Sequence, residues 1–513
     1  MSNNNTDEVV AVVSPRSVGG ASLFETTAPI TADNVAEFRS EDSDIAATSN
    51  ELRRLGFRVV QESSTTISFS GPSRLFQDVF NVALQKETVQ VTEGHEVEFF
   101  APPEDPWQQI LQAPEALRNL TEGVAIARPP ELFESALPPI APIHPSAYRY
   151  LFVPDELAVM LRASRTHWQG STGKNITVAM IDSGHYSHPF FAEHGYRKLS
   201  VLLGPGTADP AKDDLGHGTG ESANIFAAAP DIKLRPVKGL VDPTGDFQAA
   251  LASTPKPQVM TNSWGYNIDK PGNSIPASLK PLEAAVANAV ANGVVVCFSC
   301  GNGQRGWPGS HPDVISVGGV HVNYPGLDLE ASSYASSFDS TFYPGRHCPD
   351  VCGLTGKSVI IDGAPHAPSL MLPVQPGCTL DAISPSTGSA NDGWGLFSGT
   401  SAACPQVAGV AALILEKDPA LTPAKVKERL IKSARDVTKG TSAMGDPAGP
   451  GVDAATGAGL VDAKWAWLIN MGDVAAEFFA ASPEVREEMV VNGQMPRVTE
   501  ELVEDLMDTL KSR

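Results

Sequence analysis

Nowhere in this chain of 513 residues does an apolar run approach the roughly 18–20 residues that cross a bilayer, so no transmembrane helix is expected. Cysteine is absent from the whole first half; the six lie at Cys297, Cys300, Cys348, Cys352, Cys378 and Cys404. That distribution argues against a disulfide scaffold. Cations are scarce, with 37 Lys and Arg against 59 Asp and Glu and a formal net charge of −22. So acidic a surface repels phosphate backbones and anionic lipid, so neither nucleic acid nor a membrane is expected as a partner; its ordinary consequence is solubility. The N-terminus, MSNNNTDEVVAVVSPRSVGG, lacks the basic segment and apolar run of a secretory signal. The expectation is a cytoplasmic protein; export by a leaderless route would leave no mark in the sequence.

What the chain does have is ample apolar material: 42% of residues are hydrophobic and only 19% charged, which is globular composition. Its length suggests about two to four domains. Residues 1–30 are polar and Gly/Ser-containing and read as a loose lead-in. From 31 to 127 helical and strand-like patterns alternate. Ile45, Leu52 and Leu55 share a helix face that stops at Gly56, and Leu75, Phe76, Val79 and Phe80 share another. Between them lie the short strand runs Phe57–Gln61 and Thr66–Ser70. Residues 1–127 are therefore expected to form a small α+β unit. The stretch ARPPELFESALPPIAPIHP holds two Pro-Pro pairs and further prolines, which exclude a helix or central strand and mark 128–145 as an extended linker. From 146 to 470, continuous apolar strand runs such as NITVAMID, GVVVCFSC and DVISVGG alternate with helical patterns. That pattern predicts an α/β domain with a mainly parallel sheet covered by helices on both faces. The acidic tail, 471–513, has helical spacing, with Leu502, Val503, Leu506, Met507 and Leu510 on one face behind a Thr499 cap.

Four short segments carry chemistry. In VAMIDSG an apolar strand delivers Asp182 to a turn; in DDLGHGTGESAN, His217 stands between glycines at a helix start. In VVVCFSCGNG a buried strand ends at Gly301-Asn302-Gly303, and in LFSGTSAACPQVAGVAALIL Ser401 opens an Ala-rich helix. A serine hydroxyl is a weak nucleophile until an adjacent base takes its proton, and histidine does so near neutral pH. A carboxylate orients the imidazole, and donors must meet the oxyanion of the tetrahedral intermediate. Strand carboxyl ends and helix starts share one edge of a parallel α/β sheet, so these four residues can meet there. Taken singly, each has an ordinary reading: Asp182 a turn residue, His217 a loop histidine, Ser401 a helix cap. Independent structural roles do not predict the set in this order.

The segments IDSG, GHGT, GN and SGTSAACP, in that order, resemble the subtilisin family over residues 150–465. The resemblance implies a subtilisin-like fold and a serine endopeptidase acting on protein or peptide substrates. It implies Asp182, His217 and Ser401 as the triad and Asn302 as the side-chain oxyanion donor. In VMTNSWGY it implies that Ser263, Trp264 and Gly265 pair with substrate backbone, and that Ser299, Cys300 and Gly301 form the other wall of the primary pocket. Trp264 reads equally well as an apolar subsite wall or a core tryptophan. The loop after Asn302, GQRGWPG, carries Arg305 and no carboxylate, so no preference for Lys or Arg is expected in that pocket.

This chain departs from the family pattern in two places. After GHGT it has Gly220 and Glu221, the latter one helical turn beyond His217. And only twelve residues separate His217 from Pro230, which leaves no room for the family's calcium loop. No metal and no cofactor are expected. Cys297 and Cys300 have CxxC spacing, but on a strand they point to opposite faces, and Cys348 and Cys352 read as core or loop thiols. The run LRRLGFRVVQESSTTISFSGPSRLFQDVFNVALQKE is similar to the activation domains of kumamolisin-type (sedolisin) peptidases. That likeness implies an inhibitory prodomain acting in cis, with its linker crossing the cleft and autocleavage between about 128 and 170. Sedolisins use a Glu-Asp-Ser set with an oxyanion Asp; His217 and Asn302 put this chain on the subtilisin side.

Overall fold

The computed structural model describes residues 7–92, 95–103, 110–133, 151–323, 327–357, 359–361, 364–366, 370–383 and 391–468. The tail expected over 471–513 and most of the expected linker lie outside these residues.

Five strands form the parallel heart of the large sheet: Lys233–Lys238, Thr177–Asp182, Val259–Asn262, Val295–Ser299 and Ile315–Asn323, in that spatial order. Nearly every residue in them is buried, which is why their sequences read as unbroken apolar runs rather than alternating ones. The Asp328–Ala331 strand adds an antiparallel edge. Helices His217–Ala228 and Thr400–Lys417 pack together against one face, and Pro243–Ala252 and Lys280–Ala291 against the other. The sheet is thus mainly parallel and covered on both sides, as expected.

The N-terminal unit is a four-stranded antiparallel sheet in the order Arg58–Glu62, Ile67–Pro72, Glu8–Pro15, Thr121–Ile126. Residues 8–15 were expected in a loose lead-in; they are a buried inner strand instead. The run VVAVV has both faces covered, so it lacks the period-two alternation by which a half-buried strand is recognised. Val9, Ala11, Val13, Ile67 and Phe69 face the helices Asp42–Arg54 and Ser73–Phe80, where Phe57, Phe69, Phe76 and Phe80 cluster. The opposite face lies on the domain of the large parallel sheet. There Val12 and Ala125 line one small cavity with Pro243, Tyr266 and Leu282, and Gln248 donates from its side-chain amide to Thr66 Oγ1. Residues 21–38 are also fixed: Leu23, Ile30, Val35 and Phe38 pack on Ala284 and Ala287 of the Lys280–Ala291 helix. A further hairpin, Gln85–Thr92 with His95–Ala101, stands apart from the four-stranded sheet.

Candidate active site

Asp182 is the last residue of its buried strand. Its Oδ1 lies 2.8 Å from Nδ1 of His217, the first residue of the next helix, and both side chains are fully buried. That hydrogen bond favours the tautomer with its proton on Nδ1, in which Nε2 is unprotonated. The preceding Gly216 has φ +92, a conformation that disfavours any side chain there. Asp213, four residues before His217, holds this junction together. Its Oδ1 accepts from Ser183 Oγ at 2.8 Å and from the Gly216 amide at 2.9 Å. Its Oδ2 accepts from the Thr219 amide at 2.8 Å and the Thr219 hydroxyl at 2.6 Å. It thereby satisfies a first-turn N–H that has no partner within the helix and ties that turn to the residue after Asp182.

Ser401 is the second residue of the Thr400–Lys417 helix, entered through Gly399 at φ +123. Its Oγ donates to the Ser263 carbonyl at 3.2 Å, and Ser263 Oγ donates to the Ser401 carbonyl at 2.9 Å. Four residues earlier, Phe397 sets its ring 6.2 Å from that of His217, joining the histidine and serine segments. Asn302 follows the Val295–Ser299 strand. Its Oδ1 accepts from the Thr400 amide at 2.8 Å and the Thr400 hydroxyl at 3.0 Å, while the Gly301 amide donates to that hydroxyl at 3.2 Å. With its oxygen so engaged, the Asn302 amide nitrogen is turned outward, and it donates to the carbonyl of Phe133.

That carbonyl belongs to a segment lying in the cleft. Glu131–Leu132 pairs antiparallel with Trp264–Gly265, Leu132 opposite Trp264 and Glu131 opposite Gly265. On the other side Gly306–Trp307 pairs with Tyr266–Asn267, making a three-stranded ladder. The Phe133 side chain is fully buried, and a methyl added to Gly265 or Gly306 would come within 2.8 Å of its ring. Tyr266 donates its hydroxyl to the Arg128 carbonyl at 2.8 Å.

The expected cleft residues divide. Gly265 lies against the Phe133 ring, and the backbone of Trp264 pairs with Leu132. The Trp264 side chain is no subsite wall: its indole N–H donates to the Ile181 carbonyl at 2.9 Å, and its ring stands edge-on to Phe298 at 5.1 Å. A buried indole settles where its N–H finds an acceptor, here inside the core. Ser299 and Cys300 are fully buried, and Cys300 Sγ faces the Ser336 carbonyl at 3.4 Å. The loop beyond Gly301 supplies Gly306 instead, which the sequence did not single out; a glycine shows there only as punctuation.

Glu221 is fully buried. Its Oε1 lies 3.7 Å from His217 Nε2, too far for a hydrogen bond, and its Oε2 accepts from Asn224 Nδ2 at 2.7 Å. Burial pushes its carboxyl up to about 8, against the opposing pull of His217 and Asn224. The contact has ion-pair spacing, but burial favours the neutral acid at pH 7. Among the described residues no cluster of His, Cys, Asp or Glu is placed to hold a metal, and no helix is long and apolar enough to cross a membrane. The His217–Ala228 helix runs unbroken through the segment where the calcium loop would be inserted.

Comparison with known proteins agrees with this geometry. The family model described as the subtilase family matches residues 173–459. Subtilisin E of Bacillus subtilis is 29% identical over 293 residues, covering 53% of this chain and 64% of that protein. The subtilisin of Bacillus pumilus is 29% identical over 293 residues, covering 53% of this chain and 89% of that protein. The serine protease AprX of Bacillus subtilis is 31% identical over 300 residues, covering 53% of this chain and 63% of that protein. Among solved structures, fervidolysin from Fervidobacterium pennivorans, described as a keratinolytic enzyme related to subtilisin, superposes with a TM-score of 0.53 at 18% identity. That match covers 91% of this chain and 62% of fervidolysin, and it bears on the fold alone. On the strength of the family match over more than half its length, the chain belongs to the subtilase family.

Proposed function

We propose that this chain is a serine endopeptidase that cuts proteins or extended peptides through an acyl-enzyme, with Ser401 as nucleophile, His217 as base and Asp182 as its orienting anion. The single observation that carries this reading is a carbonyl oxygen held by the Asn302 amide beside the start of the Ser401 helix, with the Asp182–His217 pair completed on the same sheet edge. In the reaction His217 Nε2 takes the Ser401 proton as Oγ attacks the carbonyl carbon. Asn302 and the helix-start amides meet the developing oxyanion. His217 then returns the proton to the leaving amine, and water repeats the sequence to free the acid. Substrate adds as a strand to Trp264–Gly265, so main-chain hydrogen bonds supply general affinity and the Phe133 pocket supplies selectivity.

In the same reading the N-terminal unit is an inhibitory prodomain acting in cis. Its support is the Glu131–Phe133 segment occupying the strand position that substrate would take. A sedolisin-like acid mechanism is the rival, kept in view by Glu221. The pH–rate profile separates them: a histidine base loses activity below about pH 6, whereas activity rising toward pH 4 would favour the acid peptidase.

A further inference from the structure

The seam between the N-terminal unit and the large domain holds a cavity of about 370 Å³, and none of the four catalytic candidates lines it. Its size lies at the lower end of the range of about 300–1,000 Å³ typical of small-molecule sites. One wall is the turn at residues 63–65, between the Arg58–Glu62 and Ile67–Pro72 strands, with Arg39 beside it. The other wall comes from the Pro243–Ala252 and Lys280–Ala291 helices, through Phe247, Gln248, Leu251, Ala285 and Asn288. The turn is closed by its own bonds. The Thr66 amide donates to Ser63 Oγ at 3.1 Å, and the Ser40 amide donates to the Ser64 carbonyl at 2.7 Å. Both walls are thus in place without a ligand.

Two polar atoms are left over in that lining. Arg39 Nε and Gln248 Oε1 are buried, and neither has a hydrogen-bond partner. The rest of each side chain is engaged: Arg39 Nη2 donates to Asn288 Oδ1 at 3.4 Å, and the Gln248 amide nitrogen donates to Thr66 Oγ1. A buried donor and a buried acceptor left unmade are costly, so each calls for a complement. Glu62, paired with Arg53 at 3.1 Å, adds an exposed carboxylate to the lining. Phe247, Leu251 and Ala285 supply the apolar part. A purely apolar molecule would leave both polar atoms dry and unpaired. A phosphate or a dicarboxylate would crowd negative charge against Glu62. The fitting ligand has one anionic acceptor, one cationic donor and a compact apolar group.

We propose that this cavity binds a free α-amino acid with an apolar side chain, its carboxylate on the Arg39 guanidinium, its ammonium on Gln248 Oε1 and its side chain against Phe247, Leu251 and Ala285. A guanidinium presents parallel N–H groups that match a carboxylate, which favours this orientation over its reverse. Arg39 belongs to the N-terminal unit, whereas Gln248 and the apolar surface belong to the large domain. The ligand therefore bridges the two and stabilises their contact by mass action. No covalent step is involved, and the site does not depend on the endopeptidase reading.

The test uses the full chain carrying Ser401→Ala, which keeps both walls in one molecule, with leucine as the probe. Titration calorimetry should show one saturable site, and the unfolding midpoint should rise with leucine concentration. N-acetyl-leucine lacks the ammonium and leucinamide lacks the carboxylate. Each should bind at least about tenfold more weakly than leucine, the order expected when a hydrogen bond to a charged group is lost. Arg39→Gln should weaken leucine about tenfold or more, and Arg39→Lys should restore part of the loss. The comparison of the three ligands needs no substitution at the site, so it decides the matter even where an Arg39 variant fails to fold. Absence of saturable leucine binding would overturn the inference. Equal binding of all three ligands would reduce the cavity to an apolar hole, and N-acetyl-leucine binding as well as leucine would make it a site for carboxylates in general; either result overturns the amino-acid assignment. Unchanged leucine affinity in a folded Arg39→Gln chain would place the ligand elsewhere and overturn it too.

Discussion

The two largest sheets among the described residues are closed in different ways. The parallel sheet of the catalytic domain has its own helices on both faces, and its strands are buried from end to end. The N-terminal sheet has helices on one face only, and its second face rests on the Pro243–Ala252 and Lys280–Ala291 helices of its neighbour. There the contact combines apolar packing, Leu23, Ile30, Val35 and Phe38 on Ala284 and Ala287, with a polar bond in which Thr66 accepts from Gln248. One sheet thus carries its own cover on both faces, and the other takes the cover of its second face from a neighbour.

The comparison can be broken most severely at the nucleophile. Ser401→Ala should lower turnover by about a millionfold, the magnitude known for the equivalent loss in subtilisin, a relative. It should also leave the two sheets in one chain that melts in a single transition. Two separate melting steps in Ser401→Ala would show that the N-terminal unit does not depend on its neighbour. Next comes the N-terminal core. Phe69→Ala removes a fully buried ring and should cost about 3–5 kcal/mol of the N-terminal unit's stability, while the processed catalytic domain keeps its activity and melting temperature. Asn302→Ala should do the reverse. It should reduce turnover about 10²–10³-fold, the effect of losing such a donor in subtilisin, with little change in the melting of the N-terminal unit.

The smallest effect concerns the seam itself. Burial raises the Asp242 carboxyl to about 6, against the Ser68 and backbone hydrogen bonds that lower it. A carboxyl raised in the folded chain stabilises the fold while it is protonated and loses that contribution as it ionises. The stability of the intact Ser401→Ala chain should therefore carry a contribution that falls as pH rises from about 4 through about 6, by up to about 1.4 kcal/mol per pH unit in that window. Asp242→Asn should remove it. Denaturant unfolding of the two chains from pH 4 to 8 measures it, and an identical pH trend in both would contradict the assignment.

Much of this was legible in the sequence because the chemistry sits in contiguous words. IDSG, GHGT, GNG and SGTS each place a candidate residue at a strand end or helix start, and a parallel sheet brings such positions to one edge. What the sequence hid depends on contacts between distant segments. Phe133 is one apolar residue in a Pro-rich stretch until Trp264–Gly265 offers it an edge to pair with. Asp213 is one of two adjacent acids until Ser183 and Thr219 converge on it. The Glu8–Pro15 strand was missed because its partners, Ile67–Pro72 and Thr121–Ile126, lie far along the chain. Trp264 was open to two readings because the spacing of a buried tryptophan and of a cleft tryptophan is the same; its indole bond to Ile181 decides for the core.

The central claim is that Ser401 is an activated nucleophile served by His217. The most direct measurement is covalent labelling of the processed chain with a fluorophosphonate, followed by mass-spectrometric mapping of the modified peptide. The account predicts one label, on Ser401, lost in Ser401→Ala and strongly slowed in His217→Ala. A processed chain that stays unlabelled, or that labels equally well without His217, would contradict it.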